Sequence, residues 1–248
     1  MNIPYGLRGA LQQFTRIPVQ LSDFDESRST EVLNYLPLIG LILAIVLGTQ
    51  ATMLSAILPP SMLVLVLIIT AISFTGCLHE DGFADVCDSL GAFDREKANK
   101  ILKDSRLGTY GVCGLTLSLG IRITGVFLLL GKTTVEVFAV LICVLIVSRI
   151  TPLILARKLS YTGSTRISIM FKKNQIKVFS KRQLVALLFP IVVGSYFFVG
   201  ISILVSYAVA WSHHKWLQDK FGGYNGDVLG YSVILTECLL WLLSSAMI

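Results

Sequence analysis

Carboxylates crowd one short stretch, GCLHEDGFADVCDSLGAF at positions 76–93. We expect a single helix over 71–90, which continues the preceding apolar run. In it, Asp81, Asp85 and Asp88 fall at i, i+4 and i+7, so they point within about 60° of one another. Glu80 lies on a neighbouring face. Like charges at this spacing repel, and a divalent cation is the simplest compensation, because carboxylate oxygens select Mg²⁺, Ca²⁺ or Mn²⁺. The spacing therefore predicts a metal site on these four carboxylates; the alternative is a solvated acidic helix end.

A basic, glycine-containing stretch follows, KILKDSRLGTYG at 100–111. Lys103 and Arg106 flank Asp104, and the arginine fork fits phosphate oxygens. The two glycines allow close backbone approach to a ligand. We expect Lys103 and Arg106 to bind substrate, and Asp104 to join Asp81, Asp85 and Asp88 as candidate catalytic carboxylates. Acidic residues that can bind a metal ion, next to a basic loop of this kind, are typical of a site for a phosphoryl or nucleotidyl substrate.

The turn GGYNGD at 222–227 adds a third candidate element. Asp227 stands at the start of an apolar helix, where aspartate is a good N-cap. The alternative is that Asp227 is a further metal ligand, and that Gly222 and Gly223 present N–H groups to a phosphate. Both interpretations stay open at this point.

Two arginines lie inside apolar runs. Arg122 stands eleven residues beyond Gly111, roughly 16 Å into a bilayer at 1.5 Å per residue. Snorkelling to the interface can explain Arg149, which is nearer a run's end, but not Arg122. Because charges within a membrane usually face a polar cavity, we expect both to bind an anionic substrate or to pair with carboxylates.

The composition predicts an all-α, polytopic helical membrane protein that forms a single catalytic domain over 1–248. The chain is 54% hydrophobic and 15% charged, with mean hydropathy +0.74, whereas a soluble domain carries about 25% charged residues. None of the five cysteines forms a CxxC pair, so they are interpreted as small apolar residues.

Apolar runs and basic loops predict the topology. The runs suggest about six or seven transmembrane helices; they cover 35–57, 62–78, 112–131, 134–156, 184–210 and 228–248. Basic residues concentrate in 79–111 and 157–183, while 58–61 and 131–134 hold only Lys132. The positive-inside rule therefore places the catalytic loop 79–111, the basic loop 157–183 and the interfacial N-terminal segment 1–33 in the cytoplasm. The run 184–210 is long for one span and short for two.

Together these residues resemble the cobalamin synthase family, the adenosylcobinamide-GDP ribazoletransferases. Four segments carry the resemblance: FTRIPV at 14–19, HEDGFADVCDSLGAFDREKANKILKDSRLGTYG at 79–111, SR at 148–149 and GGYNGD at 222–227. The sequence departs from the family at Asn225, where threonine is more usual, and at Arg122, where we expect lysine. The stretch 161–171 fits the family poorly, so no site residue is carried over from it.

The resemblance implies a Mg²⁺-dependent enzyme of the bacterial cytoplasmic (inner) membrane whose active site faces the cytoplasm. The ribose 3′-hydroxyl of α-ribazole, or of its 5′-phosphate, attacks the cobinamide-bound phosphorus of adenosylcobinamide-GDP, and GMP leaves. Membrane lipid is a further partner, nucleic acid is not, and a homo-oligomer stays open. Since all motifs must then meet on one side, we expect two short spans in 184–210 and seven in all.

Two alternatives remain from the residues. A CDP-alcohol phosphotransferase of lipid synthesis shares the metal chemistry, but its signature has Ala-Arg after the first Asp-Gly, where this chain has Phe83-Ala84-Asp85. A divalent-cation transporter carries its carboxylates near the bilayer midplane, whereas here they follow the end of an apolar run.

Overall fold

Helices build the protein, whose structure is a computed structural model that describes residues 4–19, 28–163 and 176–247. Within these ranges no strand forms, and the only extended pairing is an isolated bridge between Tyr161 and Tyr224. The helices are α1 Tyr5–Phe14, α2 Ser29–Leu33, α3 Leu36–Leu54, α4 Pro60–Thr75, α5 Leu78–Ser89, α6 Arg95–Ile101, α7 Thr109–Leu129, α8 Thr134–Val147, α9 Thr151–Lys158, α10 Lys181–Pro190, α11 Tyr196–Phe221 and α12 Gly226–Met247.

In the described part of the chain, five helical segments are long and apolar enough to cross a membrane: Thr30–Leu54, Thr109–Leu129, Thr134–Lys158, Tyr196–Phe221 and Gly226–Met247. A sixth results if α4 and α5, which are bent by 86° at their junction, count together. The prediction of a polytopic helical membrane protein is confirmed. Large apolar side chains also lie exposed on the outer faces of these helices, including Leu117 and Leu204, as lipid contact requires.

The sharp bend between α4 and α5 corrects one expectation, that a single helix runs from the apolar segment into the carboxylates. Gly76 and Cys77 both adopt left-handed backbone, with φ 66° and 61°. The N–H of Cys77 donates to Ile72 O and that of Gly76 to Ser73 O, which is a Schellman motif. Because α5 turns away from α4 by 86° and has only 12 residues, it is not itself one of the five spanning segments.

The helix pair α8 and α9 forms the centre of the bundle. Every residue from Ala139 to Ala156 is buried. Pro152 has no N–H to donate to the Ser148 carbonyl, so the helix breaks between Val147 and Thr151. This break places Arg149 in the interior of the protein.

The chain path between 181 and 221 corrects a second expectation, two short spans within 184–210. The helix α10 continues into a π-helical turn at Ile191–Ser195, and the two together measure about 22 Å. Ser195 shares a cavity lining with Lys132 and Met247, so the chain turns there at the end of the bundle opposite Lys181. The return helix α11 has 26 residues. Only Tyr196–Phe221 is long enough to span and Gln183–Val193 is a shorter apolar helix, so the described residues give five or six spans rather than the expected seven.

Candidate active site

The three predicted loops meet at one end of the bundle. The side chain of Arg95, in α6, donates to the carbonyls of Gln218 and Asp219 at the end of α11, both at 3.1 Å. The N–H of Tyr224 donates to Ser160 O at 2.9 Å, and that of Thr162 to Tyr224 O at 2.8 Å. The prediction that 79–111, 157–183 and 222–227 share one side is confirmed for their described parts.

Gly222 and Gly223 have structural roles in this meeting. Gly222 ends α11 in left-handed conformation, with φ 84°. Gly223 lies so close to 160–162 that an added Cβ would collide with the Ser160 carbonyl oxygen. Both glycines therefore shape the turn, and their predicted contact with a substrate phosphate stays a prediction.

Asn225, rather than Asp227, caps α12. Its Oδ1 accepts from the N–H of Val228 at 2.9 Å, and its Nδ2 donates to Asp227 Oδ2 at 2.8 Å. The alternative that Asp227 serves as the N-cap is therefore wrong. Capping by Asn225 leaves the Asp227 carboxylate free to face α5.

The closest approach of α5 to α12 occurs at Gly82. An added Cβ at Gly82 would lie 2.7 Å from both Cα and O of Asp227, so only glycine permits this contact. The neighbours of Gly82 on the same helix, Asp81 and Asp85, are consequently brought beside Asp227. The structure thus gathers three of the predicted metal ligands from two distant parts of the sequence.

The electrostatics of this carboxylate cluster, Asp81, Asp85 and Asp227, are unfavourable without a cation. Burial, followed by the charges of Asp81, Asp227 and Asp88, raises the pKa of Asp85 from 3.8 to about 7. Among the described residues, no lysine or arginine forms an ion pair with any of the three. Oxygen-only, anionic donors fit Mg²⁺ or Ca²⁺ chemically, although no three acidic, histidine or cysteine side chains in the described ranges are arranged as a preformed metal group.

Asp88 fixes the start of α7. Its Oδ2 accepts from the N–H of Gly108 and its Oδ1 from the N–H of Gly111, both at 2.8 Å. An added Cβ at either glycine would collide with this carboxylate. Asp88 thereby ties the catalytic loop to α7, and its predicted metal and catalytic roles are not tested by this contact.

Glu80 belongs to a second, buried cluster. Its Oε1 accepts from Arg122 Nη1 at 2.8 Å, and Arg122 Nε lies 3.2 Å from Glu237 Oε1. Arg149 Nη1 lies 3.5 Å from Glu237 Oε2 and also donates to Leu145 O. This buried quartet, Glu80, Arg122, Arg149 and Glu237, is electrically balanced. In the structure, Glu80 therefore contacts an arginine rather than the other carboxylates of α5. Of the two expectations for Arg122 and Arg149, pairing with carboxylates is the one that the structure shows.

Asp104 and Arg106 pair with each other at the surface. Arg106 Nη2 lies 2.6 Å from Asp104 Oδ2, and hydrogen bonds from Arg106 lower the pKa of Asp104 to about 2. Lys103, one residue before this pair, instead lines a cavity with Asp227. Of the predicted basic residues in this loop, Lys103 is the one that the structure places beside the carboxylate cluster.

That cavity, which we call the loop cavity, has a volume of about 540 Å³. Its walls come from all three loops and include Asn99 of α6, Thr162 and Asn225. It adjoins the carboxylate cluster through Asp227. Its volume lies within the range of small-molecule sites.

Comparison with known proteins decides the family. A family model described as cobalamin-5-phosphate synthase matches residues 6–245. The chain belongs to this family. Proteins named adenosylcobinamide-GDP ribazoletransferase are similar along nearly their whole lengths. That of Clostridium botulinum is 34% identical over 246 residues, covering 95% of both chains, and that of Leptothrix cholodnii is 32% identical over 94% of this chain and 92% of its own.

A more distant relative of the same name, from Vibrio cholerae, is 28% identical over 94% of this chain and 90% of its own. No solved structure matches the chain. The resemblance to the cobalamin synthase family is thus confirmed, and membership favours neither the lipid phosphotransferase nor the transporter.

Sequence reasoning about this family member missed three residues. Glu237 lies in an apolar helix, and a single carboxylate ten residues beyond Asp227 was a usable signal, because buried charges need partners. Asn99 and Thr162 carried no such signal. Thr162 lies in the stretch 161–171, which fits the family poorly and from which no site residue was carried over. Residues 164–171 of that stretch are outside the described residues.

Proposed function

We propose that the chain is an adenosylcobinamide-GDP ribazoletransferase that performs the joining step of cobalamin synthesis. The match to the family over residues 6–245 carries this proposal. The proposed substrates are adenosylcobinamide-GDP and α-ribazole or its 5′-phosphate. The products are GMP and adenosylcobalamin or its 5′-phosphate.

In the proposed reaction, the 3′-hydroxyl oxygen of the ribazole ribose attacks the phosphorus bound to cobinamide. The bond from that phosphorus to the bridging oxygen of the diphosphate breaks, and the bridging oxygen leaves as part of GMP. The hydroxyl proton passes to a carboxylate of the cluster. Lys103, which lines the adjoining cavity, is proposed to bind the leaving phosphate.

Mg²⁺ is proposed as the cofactor, held by Asp81, Asp85 and Asp227. When bound, it would neutralise the charge that develops on the diphosphate oxygens. The support is that burial, followed by the charges of the neighbouring carboxylates, raises the pKa of Asp85. Without a metal ion, no lysine or arginine among the described residues forms an ion pair with these carboxylates.

The test is GMP release from adenosylcobinamide-GDP and α-ribazole by purified protein in proteoliposomes, with EDTA and after Mg²⁺ is restored. We expect GMP only with both substrates and the metal. CDP-diacylglycerol with an alcohol acceptor serves as the comparison, and release of CMP instead of GMP would identify the lipid-synthesis alternative. Full activity in EDTA would remove the metal from the proposal.

The site is proposed to face the cytoplasm of the bacterial inner membrane. The site end of the bundle carries nearly all loop lysines and arginines, whereas the opposite loop at 131–134 holds only Lys132. Gly226 is exposed and has open space around its Cβ position. In a background without the five native cysteines, Gly226→Cys should react with an impermeant thiol reagent only in inverted vesicles, and Lys132→Cys only in intact cells. The opposite pattern would reverse the orientation.

A further inference from the structure

The loop cavity is too small for the whole donor substrate. A corrinoid macrocycle with its amide side chains and upper nucleoside is several times larger than a single nucleotide. A volume of about 540 Å³ suits one nucleotide-sized ligand, as small-molecule sites of about 300–1,000 Å³ do. The proposed reaction has two such parts: the GMP end of the donor, and α-ribazole.

The hydrogen-bonding groups of the cavity separate these two candidates. Asn99 Nδ2 already donates to Arg95 O at 3.0 Å and to Phe221 O at 3.4 Å, which leaves Oδ1 as an acceptor. The Thr162 hydroxyl donates to Tyr224 O at 3.1 Å, so its lone pairs remain as acceptors. The walls thus present acceptors that require N–H or O–H donors from a ligand.

Guanine carries N–H donors on its N1 and N2 positions, whereas the dimethylbenzimidazole base of α-ribazole carries none, so α-ribazole can donate only from its ribose hydroxyls and guanosine can donate from both base and ribose. Leu102 and Phe221, which also line the cavity, supply apolar surface for a planar base. Lys103 belongs to the same lining as Asp227, so the cavity offers a basic residue that can bind a phosphate next to the carboxylate cluster.

We propose that the loop cavity binds the guanosine monophosphate end of the donor, with Asn99 and Thr162 accepting hydrogen bonds from the guanosine and Lys103 binding its phosphate. The inference rests on the proposed ribazoletransferase activity. It makes Asn99 and Thr162 specificity-determining residues for the nucleotide, and it directs the corrinoid and the ribazole to the other side of the carboxylate cluster.

Inhibition by the product GMP tests the assignment, together with the KM values of both substrates. Asn99→Ala and Thr162→Val should each raise the GMP inhibition constant and the KM for adenosylcobinamide-GDP by about three- to tenfold. The KM for α-ribazole should not change. Thr162→Ser keeps the hydroxyl and should restore the wild-type values, which a general folding defect would not allow.

Guanosine and GMP distinguish the base contacts from the phosphate contact. Lys103→Met should weaken inhibition by GMP but not by guanosine, whereas Asn99→Ala should weaken both. Lys100→Met is the matched control, because Lys100 is exposed, three residues away, and pairs only loosely with Glu96 at 3.9 Å. A rise in the KM for α-ribazole with an unchanged GMP constant would overturn the assignment, as would no change in either.

Calorimetric titration of the purified protein with GMP separates this inference from the proposed activity. If the wild type binds GMP and Asn99→Ala binds it more weakly, the cavity assignment holds even where no GMP is released from the donor. Absence of release would then refute the activity alone. Equal binding of GMP by the wild type and by both cavity variants would refute the cavity assignment.

Discussion

The Oε1 atom of Glu237 lies 3.2 Å from Nε of Arg122 in the interior of the helix bundle, and both side chains are almost fully buried. Glu80 and Arg149 extend this contact into a quartet with no net charge. The quartet links α5 and α12, which carry the carboxylate cluster, to α7 and to the break between α8 and α9. Burial of such charges is tolerable only while each keeps its partner.

Glu237→Leu should therefore destabilise the protein strongly. The change leaves Arg149 without a carboxylate and Arg122 with only Glu80, and an uncompensated buried charge costs about 3–5 kcal/mol. Thermal unfolding in detergent and abundance in the membrane measure the effect. Glu96→Gln is the control, because its pair with Lys100 is exposed and worth about 0–1 kcal/mol.

A charge-balanced double variant tests the same explanation. Glu237→Leu combined with Arg149→Met leaves the Glu80–Arg122 pair intact, so the double variant should be more stable than Glu237→Leu alone. Additive losses from the two changes would show that packing, rather than charge balance, makes the quartet necessary.

Gly82→Ala should separate α5 from α12 and reduce activity. Its Cβ would lie 2.7 Å from backbone atoms of Asp227, and backbone cannot move aside as a flexible side chain can. Gly120→Ala is the matched control in α7, because nothing lies within 4 Å of its Cβ position. Alanine also stabilises a helix relative to glycine by about 0.5–1 kcal/mol, so this control should not lose stability. GMP release and melting temperature report both variants, and an unimpaired Gly82→Ala enzyme would contradict the close contact.

Asp88→Asn should be milder than Asp81→Asn. Asparagine can still accept an N–H bond at the start of α7, while Asp88→Ala loses both bonds and should cost about 1 kcal/mol or more. For Asp81→Asn, loss of a charged group at the reaction centre should lower kcat about a hundredfold. If Asp88→Asn is as inactive as Asp81→Asn at equal abundance, Asp88 acts in catalysis and not only as a cap.

Asp85 makes stability depend on pH. Its pKa is raised to about 7, so the folded protein holds this proton more tightly than the unfolded chain, whose aspartate titrates near 3.8. Its contribution to stability is complete below pH 3.8 and is lost as pH rises through about 7. In EDTA, Asp85→Asn should melt higher than the wild type at pH 8 and equally at pH 4. Added Mg²⁺ should stabilise only the wild type at pH 8, and identical melting curves at both pH values would contradict this electrostatic account.

The sequence by itself determined the membrane class, the loops that form the candidate site and the family. Composition and run length suffice for the class, because apolar helices of about 20 residues have few other uses. The spacing of Asp81 and Asp85 within one helix is local, so it could be read without a structure. The bend at Gly76 was the local feature missed, because it uses two successive left-handed residues, Gly76 and Cys77, and a residue other than glycine rarely adopts that conformation.

Only the tertiary structure decided which charges meet. Asp227 joins Asp81 and Asp85 because Gly82 admits the backbone of α12, and Glu80 turns to Arg122 because that arginine is buried beside it. These pairings join residues more than forty positions apart along the chain, and no local pattern encodes them. Long-range packing sets the distances, and the distances decide whether a carboxylate faces other carboxylates, an arginine or a helix end.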